Sequence, residues 1–518
     1  MGVAADCSMG MVRPPSERHP VPKFTWAQNA FILSMVMIGG MVRFYKLGRE
    51  SLWFDESLSA LFASQPLPIS IQSMLQDGLQ HSPLFYLLLR PFVSGSPIES
   101  SVRTLPAIAG VLTIPLIAFL AKDLFSRNTG LIAAALLSMN PFHAWYSREA
   151  RMYSLLALAA ILAMYFFVLI VFREPKLRYW VGLSVSSAIA FNTHHFAFFI
   201  PLVQLAFILV TLKQSYVFLR SWTAFMGLSG LTLLPWIAIA AKSGVYWATS
   251  GTPTQTTQWT DIPFTLWNFS VGYTQDLTAP ILIGLLLILA AVIYGLIPLR
   301  GSRLLLAIWL ILPIATTFLI SFRFPMYMDR YLIVALPPFI LALANGLATL
   351  PSLGHRRVAT TIVVLFELVS LARLFSDRST YDRADWRQLG SLLEENVDPV
   401  YDRIATLNYQ DLIPLHFYYQ GRTSVRPIIV GRDVHLPDRA LSRPDGGDAY
   451  LWLIIPHPNH SNHLVGHCQS FESEPFTSWA DIIFWREQLA PNLARVYPLT
   501  CIRLERYSNR ATALGLSY

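Results

Sequence analysis

The sequence contains few charged residues. Asp, Glu, Lys and Arg make up 14% of the 518 residues, far below the quarter that is usual in soluble proteins, whereas 54% of the residues are hydrophobic. Apolar runs of about 17–22 residues recur along the chain, and this length crosses the hydrocarbon core of a bilayer. The composition therefore excludes an ordinary soluble protein and predicts a polytopic membrane protein with a soluble tail.

Other features are scarce or missing as well. Residues 1–23 lack an early apolar core, so we expect the first apolar segment to stay in place as an anchor and not to be a cleavable signal. There are three cysteines, and the two in the tail, Cys468 and Cys501, either pair in an oxidising compartment or remain thiols. The net charge of +8 is explained by basic cytoplasmic loops, so no nucleic-acid partner is expected.

Hydrophobic runs predict about eleven transmembrane helices. The segment 83–93, PLFYLLLRPFV, is too short to cross and contains Arg90, so we interpret it as an interfacial or re-entrant helix. A further span there would invert the orientation of everything that follows. The predicted spans are 26–44, 102–121, 129–146, 152–172, 179–194, 196–212, 222–241, 279–299, 304–321, 330–350 and 358–373.

The loops between these spans alternate in charge, which predicts their orientation. With the N-terminus in the cytoplasm, the short inner loops contain Lys122, Arg127, Arg173, Lys176, Arg178, Lys213, Arg220, Arg300, Arg303, His355, Arg356 and Arg357, as the positive-inside rule requires. The outer side contains Asp55, Glu56, Asp77, Glu99, Glu149, Asp261, Asp276 and Asp329. We therefore predict a cytoplasmic tail at 1–25, a transmembrane domain at 26–375 with its first outer loop at 45–101, and an extracytoplasmic domain at 376–518.

The tail has a mixed pattern. DWRQLGSLLEENV has apolar residues at helical spacing, and Asp385 with Gln388 resembles a capping box. The runs RIATLN, RPIIVG, YLWLIIP and RVYPLTCIRL are typical of strands, and DLIPLHFYYQ of a helix. This alternation predicts a small α/β domain. The histidines of HPNHSNHLVGHC have a spacing that can bind zinc, but the composition indicates an exposed loop, and no metal ligand is assigned.

Four polar clusters fall on the predicted outer side of the membrane. They are Asp55 and Glu56 with His81 in the first loop, YSREARMYS at 146–154, His194 and His195, and Asp329, Arg330 and Tyr331. Each has a structural alternative: a solvated turn, snorkelling arginines, interfacial histidines or a local ion pair. Their convergence on one side favours a site of chemistry, because ionised groups near a bilayer are costly.

The residue types fit a phosphate-linked donor. Guanidinium groups stabilise the negative charge of a departing phosphate, and a carboxylate can take the proton of an acceptor hydroxyl. The glycine-rich fingerprints of nucleotide-binding folds are missing, which suits a site outside the cytoplasm, where nucleotide sugars are not available.

Several motifs resemble a known family. They are RFYKLGRESLWFDESLSA, HSPLFYLLLR, the stretch from VRTLPAIAG to YSREARMYSLL, RYLIVALPPF and RADWRQL. Over about residues 1–400 the sequence resembles the bacterial membrane glycosyltransferases of the protein-mannosyltransferase type, which are relatives of glycosyltransferase family 39 and of the lipid A aminoarabinose transferase and have the GT-C fold. HSP stands where HPP is commoner, and the carbohydrate-binding repeats of the eukaryotic relatives are missing, which puts a protein acceptor in doubt.

The resemblance implies an enzyme of the inner membrane that takes a sugar from a polyprenyl phosphate and transfers it, with inversion, to a lipid, glycan or protein acceptor on the outer face. It implies Asp55 as the base with Glu56 beside it. It also implies a group of donor-phosphate ligands (Arg148, Arg151 and Arg330) and a site role for Tyr331. From the clusters on the outer side we expect His81, Tyr153 and His195, together with Tyr331, to orient the substrates. The use of a divalent metal varies across the fold and is left unassigned.

Two other functions remain open. A lipid-linked-sugar transporter or flippase would also need arginines for phosphate, but it predicts matched charged sites on both faces of the membrane. A non-catalytic scaffold that presents the tail would leave the Asp55–Glu56 pair unexplained. We therefore expect a transferase and keep the transporter as the alternative.

Overall fold

The structure is a computed structural model of the chain. It describes residues 23–76, 82–211, 216–242, 257–273, 279–324, 326–376, 384–408, 411–430, 433–434, 450–456, 493–499 and 502–508. His81, both tail cysteines and the tail histidines of 457–467 lie outside these ranges. The chain forms two compact units, a first unit of residues 1–47 and 62–376 and a second unit of residues 48–61 and 377–518.

The first unit is helical. Its α-helices, together with α2, which continues from the second unit into the first, are α1 (Trp26–Phe44), α2 (Phe54–Ser64), α3 (Leu67–Gln76), α4 (Pro83–Leu89), α5 (Ile98–Leu124), α6 (Arg127–Met139), α7 (Pro141–Tyr146), α8 (Tyr153–Phe172), α9 (Leu177–Phe191), α10 (Phe199–Thr211), α11 (Tyr216–Leu231), α12 (Leu234–Lys242), α13 (Asp261–Val271), α14 (Ala279–Leu296), α15 (Ser302–Ser321), α16 (Leu336–Thr349) and α17 (Leu353–Ser376). Short 3₁₀ helices lie at Arg90–Phe92, His195–Phe198 and Tyr331–Ala335.

Six helical segments in the described part of the chain are long and apolar enough to cross a membrane. They are Trp26–Phe44, Ile98–Leu124, Tyr153–Phe172, Ser302–Ser321, Tyr331–Thr349 and Leu353–Phe375. Other predicted spans are divided into shorter helices. The one predicted at 129–146 is divided at Asn140, whose side-chain oxygen accepts a hydrogen bond from the His143 N–H (2.9 Å) and so caps α7. The count of eleven therefore remains a prediction.

The candidate spans differ in how deeply they lie in the bundle. The segment Tyr331–Thr349 is 94% buried, whereas Trp26–Phe44 and Leu353–Phe375 are each 22% buried. The two exposed helices present large apolar side chains, among them Leu33, Met37, Leu365 and Leu368. A bilayer would cover these faces, since lipid satisfies apolar side chains as well as a protein core does.

In the second unit, a six-stranded sheet lies with two helices, α18 (Trp386–Asn396) and α19 (Leu412–Tyr418). The strands are β1 (Arg403–Asn408), β2 (Val425–Val430), β3 (Asp433–Val434), β4 (Tyr450–Pro456), β5 (Leu493–Leu499) and β6 (Ile502–Ser508), in the order β3-β2-β1-β4-β6-β5. The central strand β1 is parallel to β2 and β4, and the remaining pairs are antiparallel.

The core of this unit forms where α18 covers the sheet. Trp386, Leu389 and Leu393 recur on one face of α18 and are buried with Ile404 of β1 and Trp452 of β4. The Asp385 carboxylate caps α18 by accepting a hydrogen bond from the Gln388 N–H (3.0 Å).

Residues 48–61, from the loop after α1, belong to the same unit as the tail. The Leu52 N–H donates to the Tyr418 hydroxyl (2.7 Å), and the Arg387 guanidinium donates to the Gly48 carbonyl (3.3 Å). A segment of the first loop is thus held by hydrogen bonds to residues that follow the last candidate span.

Candidate functional site

The two acids of the first loop lie in the first turn of α2. Glu56 is fully buried and Asp55 is half-buried, and both belong to the second unit. The Asp55 carbonyl accepts a hydrogen bond from the Ser59 hydroxyl (2.8 Å), as a regular helical turn allows. The first turn of a helix is a favourable place for acidic side chains, because the helix dipole is positive there.

In the first unit, three side chains from separate helix ends form a cluster of rings. Tyr153 begins α8, His194 caps the 3₁₀ helix His195–Phe198, and Tyr331 begins the 3₁₀ helix Tyr331–Ala335. The ring centroids of His194 and Tyr331 lie 5.2 Å apart, those of Tyr153 and His194 6.0 Å, and those of Tyr153 and Tyr331 6.3 Å. We call Tyr153, His194 and Tyr331 the ring cluster.

Of the two neighbouring histidines, His194 lies in the ring cluster. Its Nδ1 accepts a hydrogen bond from the Phe196 N–H (3.1 Å), which fixes the orientation of the ring. His195, the residue for which the sequence predicted a substrate-orienting role, is exposed, with its ring 5.4 Å from that of His194. The sequence could not distinguish the two, because both lie at the end of the same apolar segment.

The three predicted phosphate ligands have different surroundings. Arg148 Nη1 donates to the carbonyls of Val42 (3.1 Å), Arg43 (3.1 Å) and Tyr45 (2.7 Å) at the end of α1. These are contacts of a guanidinium that caps a helix C-terminus. Arg151 and Arg330 are buried, with 6% and 8% of their surface exposed.

Arg330 lies beside the ring cluster. Its guanidinium carbon is 5.2 Å from the centroid of the Tyr331 ring. Arg330 and Glu149 are both close enough to Tyr146 to interact with its hydroxyl electrostatically, and the Tyr146 ring lies 5.2 Å from that of Tyr153. The first unit therefore brings together three of the polar clusters that the sequence singled out, those at 146–153, 194–195 and 329–331.

A buried hydrogen-bond network adjoins this region. Asp329 accepts hydrogen bonds from the Asn268 side-chain amide (2.5 Å), from the Arg330 N–H (2.7 Å) and from the Tyr273 hydroxyl. The Tyr273 hydroxyl is also 2.6 Å from that of Tyr146. Burial raises the pKa of Asp329, although its hydrogen bonds and the charge of Arg330 oppose the shift, and burial likewise raises the pKa of Tyr273.

The described residues include no group of three or more His, Cys, Asp or Glu side chains that could hold a metal ion. The site in the first unit is instead built from guanidinium, phenol and imidazole groups. Such groups bind anions and the polar parts of sugars, since they supply N–H and O–H donors.

Comparison with known proteins agrees with this chemistry. The family model described as dolichyl-phosphate-mannose-protein mannosyltransferase matches residues 80–239. The glycosyltransferase prediction is confirmed. The resemblance to membrane glycosyltransferases of the protein-mannosyltransferase type is confirmed as well. No curated protein matches the sequence.

Solved structures of the GT-C fold have similar architecture. ArnT from Cupriavidus metallidurans, bound to undecaprenyl phosphate, has a TM-score of 0.59 at 12% identity, with 95% of this chain and 99% of that chain covered. The oligosaccharyltransferase AglB from Archaeoglobus fulgidus, in complex with an inhibitory peptide and a dolichol-phosphate, has a TM-score of 0.51 at 12% identity, with 83% and 69% covered. At these identities the likeness shows the fold.

Proposed function

We propose that this glycosyltransferase moves one sugar, with inversion, from a polyprenyl phosphate to an acceptor on the outer face of the cell's inner membrane. The transmembrane domain would be 26–375, with its first outer loop at 45–101, and the extracytoplasmic domain 376–518. ArnT binds undecaprenyl phosphate and AglB a dolichol-phosphate, which supports a lipid-linked phosphate as the donor here.

The observation that carries the proposal is the position of Arg330 beside the ring cluster in the first unit. A buried guanidinium next to phenol and imidazole groups can bind a phosphate and the hydroxyls of the sugar attached to it. Arg151 is buried two residues before Tyr153 and would add a second positive charge. The third predicted ligand, Arg148, would combine this role with its hydrogen bonds at the end of α1.

In the reaction, the Asp55 carboxylate would accept the proton of the acceptor hydroxyl, with Glu56 beside it. The acceptor oxygen then bonds to the anomeric carbon as the bond from that carbon to the phosphate oxygen breaks, and the electron pair remains on the phosphate. Arg148, Arg151 and Arg330 would stabilise the released charge, because fixed cations act most strongly where charge develops. His81, Tyr153, Tyr331 and His195 would orient the substrates.

The second unit contains both Asp55 and the tail, which supports their location on the same side of the membrane. Residues 48–61 and the tail share one compact unit, so an even number of crossings has to separate them. The sequence predicts ten spans between these segments when 83–93 is interfacial, and eleven when it crosses. The described structure of 83–92, a seven-residue α-helix followed by one 3₁₀ turn, is short for a crossing, which also favours the first alternative.

The test is transfer by the purified chain. We would incubate it with a panel of polyprenyl-phosphate sugars and measure both the polyprenyl phosphate that is released and the glycosylated acceptor. Asp55→Asn should abolish transfer, while Asp261→Asn, which alters a carboxylate that caps a turn at Gln258, should retain it. Full activity of Asp55→Asn would refute the assignment of the base.

The same reconstituted protein distinguishes the transporter alternative. A flippase would move the lipid-linked sugar between leaflets of a vesicle without cleaving it. If the lipid-linked sugar moves between leaflets but no polyprenyl phosphate is released in the presence of acceptor, the protein is a transporter and the transferase proposal is refuted.

A further inference from the structure

Asp329 has no role in the proposed reaction, yet its buried carboxylate accepts three hydrogen bonds. Its carboxylate joins the end of α13, through Asn268 and Tyr273, to the backbone of Arg330. Through Tyr273 it also reaches Tyr146, the last residue of α7. Three segments that lead to the ring cluster and the arginines thus meet at one carboxylate.

When Asp329 is ionised, its carboxylate fixes the direction of this network. A carboxylate can only accept hydrogen bonds, so the Tyr273 hydroxyl must donate its proton to Asp329. The oxygen of Tyr273 is then the acceptor for the Tyr146 hydroxyl, 2.6 Å away. The hydroxyl protons of Tyr273 and Tyr146 therefore both point towards Asp329, and the lone pairs of the Tyr146 oxygen point away from it.

The cost of burying Asp329 argues against a purely structural purpose. A buried carboxylate loses its hydration, and here the hydrogen bonds do not fully compensate, since the pKa of the group remains raised. A second hydrogen bond already joins the same two segments without a charge: the Thr265 hydroxyl on α13 is 2.9 Å from that of Tyr327. The contact between α13 and the segment 326–331 therefore does not rest on the carboxylate alone.

We propose that Asp329 is a positioning residue for the binding of a lipid phosphate: its carboxylate fixes the backbone of Arg330 and orients the hydroxyls of Tyr273 and of Tyr146, whose ring contacts that of Tyr153 in the ring cluster. The inference rests on the proposed function, in which Arg330 contacts the phosphate. Asp329 itself repels an anion, so it acts through its neighbours and does not touch the phosphate.

The test measures the affinity of the purified full chain for undecaprenyl phosphate, without transfer. Asp329→Asn removes the charge at constant size, and Tyr273→Phe removes the middle member of the network. We expect each to weaken binding about tenfold. Tyr327→Phe is the matched control, because it breaks the neutral bond between the same two segments, and its affinity should stay within about twofold of that of the wild type.

The pH dependence separates positioning from general loosening of the fold. The titratable and charged groups around Asp329 are Arg330, Tyr146, Tyr273 and Tyr327, with Glu149 near Tyr146 and Asp261 near Tyr327. Arg330 keeps its charge and the three tyrosines stay neutral between pH 4 and pH 8, and Glu149 and Asp261 are the same in the wild type and in Asp329→Asn. The ratio of wild-type to Asp329→Asn affinity should therefore be largest at pH 8 and approach one as Asp329 becomes protonated, while titration of the lipid phosphate cancels from the ratio.

The outcomes are distinct. Equal weakening in all three variants, no weakening in Asp329→Asn and Tyr273→Phe, or a ratio independent of pH would each overturn the inference. Wild-type protein that binds undecaprenyl phosphate with this pattern but releases none from polyprenyl-phosphate sugars would refute the proposed function alone. Wild-type protein that transfers sugar while Asp329→Asn binds normally would refute the inference alone.

Discussion

Arg43 Nη2 lies 2.8 Å from Nδ1 of His143, a residue 100 positions further along the chain. The same guanidinium donates to the carbonyls of Ser138 (3.0 Å) and Leu137 (3.1 Å) at the end of α6. Arg43 is fully buried, so it joins the end of α1 to the junction of α6 and α7 inside the first unit. This junction leads directly into the segment of Arg148 and Arg151.

Replacing this guanidinium should destabilise the first unit. Arg43→Met keeps much of the volume but leaves buried carbonyls and the His143 ring without their donor, and we expect a loss of about 3 kcal/mol in the free energy of unfolding. The measurement is thermal unfolding of the purified protein in detergent micelles, followed by tryptophan fluorescence.

An exposed arginine provides the control for Arg43. Arg178→Met, at the start of α9, removes the same group from a water-exposed position and should change the free energy of unfolding by less than about 0.5 kcal/mol. Equal stability of the two variants would show that the buried contacts of Arg43 contribute nothing.

The burial of Arg43 could not be predicted from the sequence. It lies among basic residues that flank the first span, where an arginine usually extends towards water. Apart from the Gly39 carbonyl one helical turn away, its hydrogen-bond partners are 94 to 100 residues away, and no periodicity in the chain signals them. Asp329 is similar: the sequence suggests a local pair with Arg330, whereas its contacts with Asn268 and Tyr273 come from α13 and the residues directly after it.

The helices and strands of the tail were easier to predict from the sequence, because the patterns that indicate them are local. The runs RIATLN and YLWLIIP coincide with β1 and β4, and the amphipathic pattern that begins at Trp386 coincides with α18. Alternation of apolar residues and a capping Asp depend only on neighbours in the chain. Helix breaks inside apolar runs, such as that at Asn140, depend on tertiary packing, and there the predicted spans were too long.

The wild type should lose stability relative to Asp329→Asn as the pH rises. Burial raises the pKa of Asp329, so the folded protein holds the proton more tightly than the unfolded chain. The free energy of unfolding therefore falls as the pH rises from about 4, the unfolded value, to the folded pKa, and stays low above it. Unfolding at pH 5 and pH 8 should show the wild type losing stability relative to Asp329→Asn.

This result would have a functional meaning if Asp329→Asn also binds the lipid phosphate more weakly. Residues that are retained for function often lower the stability of the fold, so that replacing them raises stability and weakens ligand binding. A wild type that gains stability over Asp329→Asn as the pH rises would contradict the direction of the pKa shift.

The close approach of α14 and α16 should not tolerate a methyl group. A Cβ at Gly346 would overlap the Ala291 carbonyl, and one at Gly295 would overlap the Ala342 carbonyl. Both obstacles are backbone atoms in helices, so the helices would have to move apart. We expect Gly346→Ala to lower the free energy of unfolding by about 2 kcal/mol, measured by thermal unfolding in micelles.

Gly227 is the matched control for this crossing. It lies within α11, and a Cβ there has no atom of the described residues within 4 Å apart from its own helix backbone and chain neighbours. Because alanine has a higher helix propensity than glycine, Gly227→Ala should be neutral or stabilising by up to about 1 kcal/mol. Destabilisation of both variants to the same extent would mean that helix crossing is not the cause.

In the second unit, Asp402 should be essential for the packing of the central strands. It is buried before β1, and its carboxylate accepts hydrogen bonds from the Tyr450 N–H (2.8 Å) and from the Trp452 indole N–H (3.0 Å) on β4. Asp402→Ala leaves both donors buried without an acceptor and should cost about 3 kcal/mol, whereas Asp402→Asn keeps one acceptor oxygen and should cost less. Glu395→Ala, on the exposed face of α18, should have little effect. The measurement is a urea titration followed by the fluorescence of the 14 tryptophans of the chain, and an unchanged midpoint in Asp402→Ala would show that the sheet does not depend on these bonds.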